Sequence, residues 1–248
     1  MKKIAIALLF MSGMFVANAQ DMDVETIIKN YTENIGGEEA WSAVVGVEME
    51  AKISMQGMEI PLTMTQLKDG RTATVASFQG MTFYQGMFDG EVLWGTNQMT
   101  MEAEKSESED TENLKRNVGE FPGDLLTYDE LGYTCEMDGE DTKEGVECYK
   151  LKMTKKNQII DGEEVEQVIY YFMDKESFIP IMQEQEIHAG PMKGNVSQTV
   201  FSDYQEVDGL YFPFSLTQQV EGMGGQEIVI ESVVINPEVK DELFNFPE

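Results

Sequence analysis

Residues able to do chemistry are few and scattered. His188 is the single histidine of the 248-residue chain. A Ser-His-Asp relay needs a nucleophile set in a local signature such as a sharp strand-to-helix elbow. None surrounds His188, which sits between Glu186 and Gly190 and reads as a surface residue at a strand end. A zinc site needs three or four His, Cys or carboxylate ligands at close spacing, and the sequence offers no such run. The acidic stretches 138–145 (DGEDTKEG) and 161–164 (DGEE) lack calcium-loop spacing, and turn chemistry accounts for both. With 46 acidic residues, close carboxylate pairs arise by chance, so abundance does not argue for a glycosidase pair. Gly222–Gly225 reads as a hairpin turn, not a phosphate cradle. The expectation is therefore no catalytic residue, no metal and no cofactor, with a hydrolase built around His188 as the least favoured alternative.

Cys135 and Cys148 are the only cysteines and flank the turn-rich 138–145. Antiparallel strands on either side could bring them opposite each other, and an oxidising compartment would permit a disulfide. Equally, Cys148 alternates with Lys150 while Tyr149 and Leu151 take the inward positions, which suits two buried free thiols. Both alternatives stay open.

The distinctive residue is methionine, with 18 copies, many lying in strand-like runs with Phe and Tyr. A flexible, polarizable thioether suits a surface that accepts apolar partners of variable shape, although each methionine taken alone could simply fill core. The candidate lining of a hydrophobic cavity is Met49, Ile53, Met55, Leu62, Met64, Phe83, Met87, Trp94, Tyr171 and Phe214. The stretch 80–94 (GMTFYQGMFDGEVLW) is oily on both faces. Strict alternation puts Phe83 and Met87 together on the cavity side, and Asp89-Gly90 makes the turn.

The elements that must position these residues follow from periodicity. Apolar residues at helical spacing from Val24 to Ile35 predict an amphipathic helix over about 24–34, stopped by Gly36-Gly37. From Gly46 the period becomes two, and about a dozen short runs bounded by Asp-Gly and Gly-Gly turns imply one antiparallel meander. Residues 106–127 break the rhythm: an acidic segment is followed by Leu114, Val118, Phe121 and Leu125 at helical spacing. That pattern reads as one or two short helices forming a lid over the sheet.

Lys2 and Lys3, the apolar run 4–10 and Ala17-Asn18-Ala19 read as a secretory signal cleaved after Ala19. No stretch approaches the roughly 20 apolar residues of a spanning helix. The expectation is a soluble periplasmic protein, a single domain over 20–248. A net charge of −29 excludes nucleic acid as a natural partner and disfavours anionic lipid surfaces.

Several motifs carry a resemblance. Ile35-Gly36-Gly37, 55–61 (MQGMEIP), 78–81 (FQGM), 88–94 (FDGEVLW), 149–154 (YKLKMT), 201–213 (FSDYQEVDGLYFP) and 235–247 (INPEVKDELFNFP) are similar to bacterial outer-membrane lipoprotein-sorting proteins, relatives of the LolA/LolB-type carriers. The resemblance spans 20–248 and implies an α+β fold: a strongly curved antiparallel sheet of about 11–12 strands, an incomplete barrel, with helices closing its concave side. It implies a non-catalytic monomer that shields the acyl chain of a lipoprotein or lipid and exchanges it with envelope transport partners in outer membrane biogenesis. It also implies an arginine on the sheet that holds the lid, for which this chain offers only Arg71 and Arg116. The competing expectation is an envelope interaction or scaffold module whose concavity is filled by its own side chains.

Overall fold

A computed structural model describes residues 22–55 and 57–247. The expected secretory signal and its expected cleavage point lie outside the described residues. Helix α1 (Val24–Asn34) opens on Asp23, whose carboxylate accepts from the Thr26 amide at 2.7 Å, a standard N-terminal cap. Ile27 and Ile28 are its buried face. Gly36 then turns the chain at φ +124°, so close to Gly209 that a Cβ there would sit 2.5 Å from its carbonyl oxygen. A five-residue helix, α2 (Glu38–Ser42), carries Trp41 inward.

The sheet follows as a meander. Its first part is β1 (Gly46–Met55), β2 (Met58–Leu67), β3 (Thr72–Phe78), β4 (Met81–Phe88), β5 (Leu93–Thr96) and β6 (Ala103–Lys105). After two helices, α3 (Ser108–Arg116) and α4 (Asp124–Thr127), come β7 (Thr134–Lys143), β8 (Val146–Ile160) and β9 (Glu163–Asp174). The last four are β10 (Pro180–Glu186), β11 (Val196–Val207), β12 (Leu210–Val220) and β13 (Gln226–Ile235). Among the described residues these form one antiparallel sheet of 13 strands, ordered β6-β5-β4-β3-β2-β1-β13-β12-β11-β10-β9-β8-β7. The strand beyond the expected dozen is β6, three residues inside the acidic 101–113 segment, paired with β5.

Pairing of β1 with β13 closes the two ends of the chain into the middle of the sheet, which leaves β6 and β7 as its free edges. The half-barrel stays open there. A three-residue edge and a charged, bulged edge are both poor templates for pairing with another chain. The 106–133 segment joins the two edges and so crosses the opening.

Register decides the faces. Val47 pairs with Gln66, Gln66 with Thr72 and Thr72 with Phe88, and this concave face packs under α1 and α2 through Ile35, Trp41, Val47, Leu62, Phe212 and Phe214. Farther along it, Leu151, Met153, Ile169 and Tyr171 pack on Ile27, Ile28 and Leu125. The convex face over β3–β5 is covered by the C-terminal segment, with Ala73, Met87 and Trp94 against a fully buried Phe244.

Strict alternation fails in β4 because of one extra residue. Thr74 faces Gln85 while Thr72 faces Phe88, so three steps on β4 match two on β3, with Gly86 at φ +59° in the bulge. A bulge of this kind shifts the side-chain parity. Phe83 and Phe88 therefore share the concave face, and Met87 joins Tyr84 on the convex one. The oily second face of 80–94 is buried by Phe244 and Phe246.

The cysteines lie on paired strands but not opposite each other. Cys135 faces Met153 and Cys148 faces Asp141, because the turn is at Glu144-Gly145 and Asp138-Gly139 forms a bulge. Both are free thiols in this register, Cys148 buried and Cys135 half-buried.

Candidate functional site

Segment 117–131 lies over the concave face with its apolar residues turned inward. Leu125 is buried against α1 and β8–β9, and Phe121 and Leu126 pack on the cluster around Trp41 and Phe212. Val118 leans on Gly70, where a Cβ would come within 2.8 Å of it. The rest of the insertion is a strut. Asn113 on α3 bonds both the amide (2.8 Å) and the carbonyl (2.6 Å) of Ile159, and Glu109 accepts from the Asp161 and Gly162 amides at 2.9 and 3.0 Å. Lys115 reaches Glu91 in the β4–β5 turn, near the other sheet edge, at 3.1 Å. So α3 spans the gap between the edges, and the lid hangs from it.

Beneath the lid is a chamber of about 220 Å³ lined by Tyr31, Trp41, Met49, Phe121, Phe201 and Phe212, with Tyr171 and Asp124 on its wall. Phe121, Pro122, Leu125 and Leu126 also line a groove of about 790 Å³ on the outer side, between the lid, α1 and α2. These four residues are the partition between the two spaces. A third space of about 420 Å³ flanks the lid and is more polar, with Gln66, Thr72, Lys155, Gln183 and Gln185 around it.

One ion-pair network fastens the lid. Lys155 of β8 occupies an inward position after Leu151 and Met153, where alternation calls for an apolar residue. Its ammonium lies 2.5 Å from Glu120 and 3.4 Å from Asp124, with only 9% of the side chain exposed. Tyr171 donates to Asp124 at 2.6 Å and Tyr133 to Glu120 at 2.8 Å. Every partner of the two lid carboxylates thus comes from the sheet or its edge. Burial, and then the neighbouring Asp124, raise the Tyr31 and Tyr171 hydroxyls well above the usual phenol range. Burial, followed by the hydrogen bond to Glu120, does the same at Tyr133. Burial pushes the Cys135 thiol up to about 12, with Asp124 adding to it.

Of the expected cavity residues, Met49, Ile53, Leu62, Met64, Phe83, Tyr171 and Phe214 share the concave face by register, and Met49 and Tyr171 line the chamber. Met87 and Trp94 stand on the other face, where the Trp94 indole donates to the Phe244 carbonyl at 2.8 Å. Met55 ends β1, its side chain outside the described residues. All four lid residues belong to the insertion; Leu114 lies on α3, at the edge of the polar space. Neither arginine holds the lid. Arg71 pairs with Asp69 (2.9 Å) and Asp241 (2.6 Å) and lies over Phe244, and Arg116 donates to the Asn157 carbonyl at 3.3 Å. The lysine and the two tyrosines that do the fastening were signalled only by Lys155 standing at an inward strand position.

No family model matches the sequence, and no curated protein matches it. Solved structures do match in shape. A LolA superfamily protein from Nitrosomonas europaea superposes with a TM-score of 0.52 over 90% of this chain and 98% of its own, at 10% identity. The chain has the LolA superfamily fold. A DUF1329 family protein from Desulfovibrio piger superposes with a TM-score of 0.53 at 14% identity, covering 90% of this chain and 97% of its own. An outer membrane lipoprotein-sorting protein domain from Vibrio parahaemolyticus gives 0.51 at 11% identity, over 88% and 95%. The LolA-type half-barrel here differs from a plain open sheet in having its mouth crossed by a strut and a lid fastened through Lys155.

Proposed function

We propose that this protein is an exported, periplasmic carrier that shields the acyl chain of a lipoprotein or lipid against the concave face of its half-barrel, without covalent chemistry. The observation that carries the reading is the apolar chamber under the lid, in a fold shared with LolA superfamily proteins. Burying an acyl chain is worth about 0.8 kcal/mol per methylene, so a long chain supplies several kcal/mol without any charged anchor. The 220 Å³ chamber is smaller than the roughly 300–1,000 Å³ of ordinary ligand sites, so a long chain displaces the partition formed by Phe121, Pro122, Leu125 and Leu126. Loading is then a shift toward a lid-open population, opposed by the contacts of Lys155 with Glu120 and Asp124.

Native mass spectrometry of the protein purified from its own envelope tests this. Retained lipid or acylated peptide supports the carrier and identifies the cargo class. A bare mass that takes up no added fatty acid or lipopeptide overturns it and favours the scaffold alternative, in which Trp41, Phe121 and Phe212 only complete the core.

A further inference from the structure

Hairpins of an antiparallel meander place alternate turns on opposite rims of the sheet. Along one rim, in sheet order and ahead of a methionine-free, acidic sixth tip at the β8–β9 turn (Asp161-Gly162), come the β5–β6 loop and the β3–β4, β1–β2, β12–β13 and β10–β11 turns. Each of these five consecutive tips carries an exposed methionine: Met99 and Met101, then Met81, Met58, Met223 and Met192, with 39–91% of the residue accessible. The β3–β4 tip sets Met81 beside Gln79-Gly80, and the β12–β13 tip sets Met223 among Gly222, Gly224 and Gly225. The opposite rim is built differently. Its turns Asp69-Gly70, Asp89-Gly90, Glu144-Gly145 and Asp208-Gly209 are charged and carry no methionine. Successive tips on one rim are two strand spacings apart, about 10 Å, so the methionines form an arc about 40 Å long, as wide as a standard protein interface.

We propose that this methionine rim is a docking surface for a partner protein that presents an apolar face flanked by Lys and Arg. Unbranched thioether side chains can repack against different apolar shapes, which is why such surfaces suit proteins that bind variable partners. The charges at the tips set the partner's sign. Glu59, Glu102 and Glu221 are exposed at the methionine tips and Glu163 at the sixth, against Lys193 as the exposed base. The same charges, on a chain of net −29, oppose a second copy of this chain and an anionic leaflet. A bilayer interface would call for Trp, Tyr and several basic residues at the tips, whereas the methionine tips hold Lys193 as their one exposed base and no Trp or Tyr. The inference rests on exposure and charge and holds whatever the concave face carries.

The test uses the mature chain labelled with ¹³C at the methionine methyls, titrated with a synthetic 18-residue helical peptide of Leu and Lys. Expected are saturable shifts of the Met58, Met81, Met99, Met101, Met192 and Met223 methyls, with the buried Met87, Met153 and Met173 unmoved. The triple variant Met58→Gln, Met81→Gln, Met99→Gln should bind at least tenfold more weakly with an unchanged melting temperature, since all three side chains are exposed. A matched Leu and Glu peptide should not bind. Binding that bypasses the rim methyls, survives the triple substitution or ignores peptide charge overturns the proposal. So does engagement of phosphatidylcholine or phosphatidylglycerol vesicles in place of the peptide, or rim shifts that track self-association in sedimentation. Fatty-acid uptake measured on the same triple variant separates this surface from the carrier reading.

Discussion

Replacing Lys155 with Met keeps most of the side chain's length and removes its charge, so it isolates what the ammonium does. Without it, Glu120 and Asp124 keep Tyr133 and Tyr171 as donors but lose the one ionic partner they have among the described residues. Breaking a buried ion pair by deleting one partner costs about 3–5 kcal/mol. Because Asp124 and Glu120 retain 15% and 22% side-chain exposure, water recovers part of that cost, and about 3 kcal/mol is the working figure. The loss falls on the lid, since both carboxylates belong to 117–131 and the sheet keeps its own hydrogen bonds. Each 1.4 kcal/mol is tenfold in an equilibrium constant, so lid opening should become about a hundredfold more frequent.

Amide hydrogen exchange by mass spectrometry reads this directly. Peptides covering 117–133, which include the Leu126, Leu131 and Tyr133 amides bonded to Gly123, Thr127 and Tyr128, should lose about a hundredfold of protection. Peptides from β1, β2 and β13 should not change. Arg71→Met is the control, because it breaks ion pairs on the convex side and should leave the lid protected. Unchanged exchange in 117–133, or an equal rise across the sheet, would refute the idea that Lys155 acts as a lid fastener.

The other predictions concern stability, thiols and faces. Tyr31, Tyr133, Tyr171 and Tyr204 all have hydroxyl pKa values raised above 10 and Cys135 has its thiol raised above 9. The folded state holds these protons more tightly than the unfolded chain, so their contribution is whole below pH 9 and drains as pH rises beyond 10; melting temperature should fall there first. Cys135, shifted to about 12, should carry about a thousandfold less thiolate at pH 8 than an ordinary cysteine. Iodoacetamide should alkylate both cysteines in guanidinium without reductant, and an unmodified protein whose mass rises by two protons on reduction would contradict the free-thiol register. Trp94→Phe should leave the Phe244 carbonyl unpaired and destabilise by about 1–3 kcal/mol, seen as faster proteolysis within 237–247. Acyl-chain affinity should be untouched by that change but weakened by Phe212→Ala, which opens the chamber wall.

Period and turn chemistry carried most of the sheet into view, since Val47, Met49, Ala51 and Ile53 alternate cleanly and the Asp-Gly turns fall where strands reverse. What stayed hidden is what alternation cannot encode. The bulge at Gly86 moves Met87 across the sheet with no change in composition, and a turn at Glu144-Gly145 rather than midway between the cysteines sets them out of register. The C-terminal cover of Met87 and Trp94 is a long-range contact between residues about 150 apart in sequence. The lid's apolar stripe was legible, but its fastening depends on which strand lies beneath Glu120 and Asp124, a fact of topology.

That topology also says what a cargo must do. Because β1 pairs with β13 in the middle of the sheet, both free edges belong to the centre of the sequence, and the strut and lid tie them together. A closed barrel could not widen without breaking a strand ladder. This sheet can splay at β6 and β7 at the cost of contacts made by side chains: Asn113 and Glu109 to the β8 end, Lys115 to Glu91, and Lys155 to the lid. The interior can thus gain volume in steps, first by lifting Phe121, Pro122, Leu125 and Leu126, then by loosening α3. A longer acyl chain should therefore increase exchange first in 117–131 and only afterwards in 106–116. Simultaneous loosening of both segments by the shortest bound chain would show that lid and strut move as one body.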